Sequence, residues 1–173
     1  MDKLEYFKEQ LRTVRPEKWE QIPDLDLYMD QVISYMTRQH IGLTPEGGEN
    51  LTSAMINNYV KSGLLPRAKG KKYNREHMGY LTAICLLKQV LSVGETGQLL
   101  EKEMEHSSIR RFYDTYLEIL DRIYLQTADT IPEDASEEEL VQLALTMAVD
   151  SYAKMLTCRQ ILKAVSTEKN EEK

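Results

Sequence analysis

The spacing of apolar residues constrains this chain more than any other feature. Leu25, Tyr28, Met29, Val32, Ile33 and Met36 fall at i, i+3, i+4, i+7, i+8 and i+11, one wide stripe on a helical period. The period returns at Met78, Leu81, Cys85, Leu86 and Val90, and again from Ile109 through Phe112, Tyr113, Tyr116, Leu117, Leu120, Ile123 and Tyr124. A last stripe runs through Leu140, Leu143, Ala144, Met147, Tyr152, Met155, Leu156, Ile161 and Leu162. Such a chain packs helices on helices. Eight Gly and five Pro in 173 residues supply too few tight turns for an all-β fold. The 42% apolar content sets it apart from ordinary disordered chains. No apolar run approaches the roughly 20 residues a membrane helix needs.

Caps and breakers give the boundaries. Residues 2–13 read as a short helix, with Leu4, Phe7, Leu11 and Val14 in register and Pro16 beyond it. Trp19 and Ile22 read as anchors in a connecting segment. Asp24 is the expected cap of the Leu25 helix, which should run to about His40. Gly42 to Asn50 reads as a linker; its glycines are no phosphate cradle, because the stretch has two glutamates and no lysine. Thr52 or Asn50 should cap a helix with Met55, Ile56, Tyr59 and Val60 inside, ending near Lys61 before the left-handed Gly63. Gly70 predicts a tight turn between two very short strands ending at Tyr73. Asn74 caps the next helix, with His77 expected to be exposed at its start, and Ser92 to Glu95 is a capping box opening a helix to about Glu103. Further helices are expected over 107–127 and, after a loop from Asp129 to Ala135, from Ser136 to about Val165, where Glu137, Glu138 and Glu139 suit the helix dipole. These boundaries suggest an N-terminal arm (1–22), a central domain (23–105), a C-terminal helical module (106–165) and a disordered tail (166–173).

Charge is unevenly placed. From Leu51 to Arg75 there is no Asp or Glu, while Lys61, Arg67, Lys69, Lys71, Lys72 and Arg75 add six positive charges. The net charge of −6 therefore leaves −12 on the remainder. Such a chain can engage a polyanion through one face, but not through its whole surface.

The helix within this basic segment has a polar side: Thr52, Ser53, Asn57, Asn58 and Lys61. Asn can pair with an adenine edge in the major groove, and Thr, Ser and Lys reach bases or phosphates. The cations that follow would lie along the nucleic-acid backbone. The candidate DNA-binding set is therefore Thr52, Ser53, Asn57, Asn58, Lys61, Arg67, Lys69, Lys71, Lys72, Tyr73 and Arg75.

The stretch MINNYVKSGLLPRAKGKKYNREHMGYLTAICLLKQVLSVGETGQLL resembles the core of MerR-type winged helix-turn-helix regulators. Ile56 to Lys61 resembles the end of the recognition helix. Gly63, Leu64, Leu65 and Pro66 match the turn after it, Gly70 to Tyr73 resembles the wing, and Ser92 to Leu100 is similar to the last short helix. With IPDLDLYMDQV added, the chain also resembles a bacterial family grouped as a domain of unknown function, number 1836. The sequence departs from the regulator pattern in three places. The segment before the recognition helix, Gly42 to Leu51, is long. Asn57 and Asn58 stand where an Arg-Tyr pair is usual, and Lys71 and Lys72 stand where the wing usually carries Tyr-Arg. Lysines hold phosphate as point charges and specify less than arginine forks.

The resulting expectation is an all-α protein with a small β-hairpin wing: a winged helix-turn-helix followed by a C-terminal helical module, acting as a DNA-binding transcriptional regulator. The resemblance implies a homodimer through the C-terminal helices, on double-stranded DNA, with an effector of unknown identity. The alternative is a protein-protein interaction module on the same scaffold. No enzyme is expected. Ser, Cys and His form no nucleophile elbow, and Glu103 with His106 is one Glu-x-x-His pair where a di-iron bundle needs two. His40 has no ligand spacing, and Glu133 to Glu139 lacks the rhythm of a calcium loop. No metal or cofactor is therefore expected. Cys85 and Cys158 read as buried free thiols in a reducing compartment. MDKLEYFKEQ has no apolar core for a signal peptide, so a cytoplasmic location without membrane attachment is expected.

Overall fold

The structure, a computed structural model, describes residues 3–39 and 50–171, with side chains to residue 166. Among the described residues there are seven α-helices and no strand: α1 (Lys3–Thr13), α2 (Met29–Arg38), α3 (Ser53–Lys61), α4 (Arg75–Leu87), α5 (Val93–His106), α6 (Ile109–Thr130) and α7 (Glu137–Glu171). A 3-10 turn at Trp19–Gln21 precedes α2. The chain forms two compact units, residues 1–128 and 129–173. The expected linker Gly42–Asn50 lies outside the described residues except for Asn50, as does His40.

The first unit is built around α4. Met78, Leu81, Ala83 and Ile84 are fully buried there, together with Ile22, Val32, Ile56, Tyr59, Leu65 and Tyr113 from the surrounding elements. α2 packs on both α3 and α4. Gly79 permits the closest approach: a Cβ built there would lie 2.9 Å from Cζ3 of Trp19. The Trp19 ring in turn meets Tyr113 at 5.7 Å. The Tyr113 hydroxyl donates to the Glu17 carbonyl at 2.6 Å, and Arg15 pairs with Asp121 at 2.8 Å, so the segment after α1 is tied to α6.

Helix ends follow local chemistry. Thr52 Oγ1 accepts the Met55 amide, Asn74 Oδ1 accepts the His77 amide, and Ser92 with Glu95 forms the reciprocal box. After α3, Gly63 takes φ +75°, and the Leu64 and Leu65 amides return to the Tyr59 carbonyl, which points both leucines into the core.

Several expectations require correction. The β-hairpin wing is absent. Lys69 and Lys72 form one isolated bridge, and the next residue, Tyr73, exchanges both backbone hydrogen bonds with Leu27 (2.7 and 2.8 Å). The ladder cannot grow because its next rung goes to a different segment, and Pro66 has no amide to give. The same bridge delays α2. Leu27 is extended, so the helix starts at Met29 with Tyr28 as N-cap, and Asp24 caps nothing. Leu25 and Tyr28, assigned to the inner stripe, are exposed. His77, expected to be exposed, is only 6% accessible. In the second unit α7 runs to Glu171, into the residues assigned to a tail; no Gly or Pro stands between Glu137 and Glu171 to end it.

Candidate nucleic-acid interface

α3 is short and its orientation is fixed by two residues. Ile56 and Tyr59 are buried, so Asn57, Asn58 and Lys61 stand on the outer side and are exposed. Lys88 secures the inner side: its Nζ lies 4.8 Å from the Tyr59 ring centre and donates to the Tyr59 hydroxyl at 2.9 Å. Thr52 and Ser53 are also exposed, but the Thr52 hydroxyl is already committed to the cap.

Beyond Pro66 the chain reverses over two residues. Gly70 and Lys71 take φ +56° and +63°, and Lys69 and Lys72 exchange backbone hydrogen bonds of 3.1 and 3.0 Å. Positive φ at both central residues is the geometry of a type I′ reversal. Gly tolerates it freely; Lys71 holds it at a cost of about 1–2 kcal/mol. This projects a lysine from the tip.

Between α3 and this reversal lies an open concavity of about 610 Å³. Its polar side chains are Asn57, Lys61, Arg67 and Lys71, and its apolar lining is Met29, Val60, Ala68 and Tyr73. Three cations and an amide thus surround an apolar floor. Four residues of the candidate set supply that rim, and a fifth, Tyr73, is floor. The rest are placed elsewhere. Lys72 stands over the exposed ring of Tyr28 at 5.2 Å. Arg75 donates from Nε to the Ile22 carbonyl at 3.0 Å, a structural bond that points it away from the concavity. Thr52, Ser53, Asn58 and Lys69 are exposed without lining it.

His77 is the residue the sequence concealed. Its Nδ1 accepts the Asn74 amide at 3.1 Å, and its Nε2 lies 3.3 Å from the Arg67 carbonyl. The neutral ring with its proton on Nε2 satisfies both contacts. The Tyr73 ring meets His77 edge-on at 5.2 Å. One imidazole therefore anchors both ends of the segment that carries Lys69, Lys71 and Lys72. The sole hint of this was the Asn-x-x-His spacing, which also fits an exposed cap. Met29 was likewise unassigned, because it was counted within the core stripe.

The chemistry around the concavity is that of binding. Among the described residues, no three of His, Cys, Asp and Glu come together as metal ligands. Both cysteines are free and half-buried, and burial pushes the Cys85 thiol up to about 11, which keeps it protonated. No helix among the described residues is long and apolar enough to cross a membrane.

Fold and site together describe an all-helical protein with a cation-rimmed concavity on its first unit. The chain belongs to the family described as Domain of unknown function (DUF1836), which it matches over residues 17–116. No curated protein and no solved structure matches it. The family region contains every residue of the concavity.

Proposed function

We propose that the outer side of α3 and the Lys69–Lys72 reversal bind double-stranded DNA, and that the protein is a transcriptional regulator. One observation carries this reading: three cations of the acid-free segment, Lys61, Arg67 and Lys71, converge with Asn57 on a single concavity. A duplex presents its sugar–phosphate strand as a ridge. That ridge fits a trough with an apolar floor, against the sugars, and cations on the rim, against the phosphates. Asn57 and Asn58 then face base edges from the outer side of α3. The order of recognition-type helix, Gly-Leu-Leu-Pro turn, basic turn and two further helices adds the likeness to MerR-type regulators, carried here by helices and a reversal alone.

The test is fluorescence anisotropy of the full chain on random-sequence duplex DNA across a salt series. The expected slope of log K against log salt is about −0.9 for each phosphate neutralised. Lys61→Glu, Arg67→Glu and Lys71→Glu combined should abolish binding while the melting temperature stays within a few degrees of the parent. If the parent protein is not retained at low ionic strength, the DNA reading fails and the concavity becomes a protein-docking site.

A further inference from the structure

α7 is unusual on its own terms. Leu140 to Val149 contains no charged residue, although Val141, Leu145 and Val149 are 60%, 58% and 61% exposed. Tyr152 and Leu156, at 61% and 43%, continue the row. At 100° per residue these five side chains fall within an arc of about 80°, extending about 22 Å along the helix. A helix face of this composition is ordinarily covered.

The row is also self-complementary. If two copies of α7 run antiparallel with a two-fold axis between Ala148 and Val149, Val141 faces Leu156 and Leu145 faces Tyr152, with Ala148 against Val149 at the centre. Charge follows the same symmetry. Glu137, Glu138 and Glu139 crowd the first turn, and Arg159 and Lys163 stand beyond Leu156. The same axis sets Glu138 opposite Arg159. A parallel pairing would instead oppose the acidic turns to each other and match no apolar residue to its counterpart across such an axis.

We propose that this face docks a second copy of the chain, antiparallel, through Val141, Leu145, Val149, Tyr152 and Leu156. A seam one helix wide and about 22 Å long lies at the low end of the roughly 1,200–2,000 Å² of specific interfaces. The dimer should therefore dissociate on dilution. The proposal stands independently of what the concavity binds.

Sedimentation velocity of the full chain, from low micromolar to several hundred micromolar, tests association. Leu145→Glu and Tyr152→Glu each enter the seam twice, and each should move the monomer–dimer midpoint at least tenfold upward with unchanged helical circular dichroism. Register is tested by cysteine pairing in a Cys85→Ala, Cys158→Ala background whose association matches the parent. Ala148→Cys should cross-link to itself. Val141→Cys should cross-link to Leu156→Cys in a mixture, and neither should do so alone. Should the background fail to fold, the glutamate variants in the parent chain decide. A monomer throughout the range, a dimer indifferent to both glutamates, or self-cross-linking at Val141→Cys overturns the proposal.

Discussion

α4 and α7 have similar chemistry and opposite circumstances. From His77 to Leu87, α4 carries no Asp, Glu, Lys or Arg, and α7 carries none from Leu140 to Val149. Yet Met78, Leu81 and Ile84 of α4 are fully buried, whereas Val141, Leu145 and Val149 of α7 are more than half exposed. Apolar content measures a helix's demand for cover; whether its own chain meets that demand is a separate matter. The first unit answers it for α4 with α2, α3 and Trp19. For the exposed row of α7 the cover proposed here is another copy.

The sharpest test of the contrast is the same kind of truncation in each helix. Met78→Ala should cost about 2–5 kcal/mol by urea unfolding of the dilute protein. Leu145→Ala under the same conditions should stay within about 0.5 kcal/mol. Equal losses would erase the distinction. Gly79→Ala comes next: the added methyl meets Trp19 at 2.9 Å, and overpacking there should cost about 1–3 kcal/mol by thermal melting. Alkaline titration probes the same core. Burial raises the Cys85 thiol from 9.0 to about 11 and lifts the Tyr113 and Tyr116 hydroxyls above their usual range. The folded state thus holds these protons more tightly than the unfolded chain. Their contribution is complete below pH 9.0 and is lost as pH rises toward about 11, so melting temperature should fall across that window. The smallest effect is at the reversal. Lys71→Gly relieves the positive φ and should raise stability by up to about 1 kcal/mol, while weakening duplex binding in the salt series. Binding unchanged by that substitution would remove Lys71 from the interface.

Much of the helical plan was legible because it depends on neighbours in the sequence. Thr52, Asn74 and Ser92 cap by reaching two or three residues forward, and Gly63 terminates α3 through its own backbone. The outward side of α3 followed from Ile56 and Tyr59 pointing inward. What stayed hidden depends on distant partners. The Leu27–Tyr73 bridge spends the rung a hairpin would need and sets the start of α2, and no local pattern announces it. Arg75 looked like one more cation until the Ile22 carbonyl claimed it. His77 looked like a surface cap until Arg67 and Tyr73 closed around it. Of the candidate site, composition revealed the cations, but only the chain's return from Pro66 sorted those that converge from those that brace.

The bridge between Leu27 and Tyr73 has one more consequence. Its two amides are each other's only lock, held by bonds of 2.7 and 2.8 Å at the root of the basic reversal. In a hydrogen-exchange experiment they form a paired clock: they should open together, and slow together when a polyanion settles between α3 and the turn, reporting occupancy without any label on the molecule.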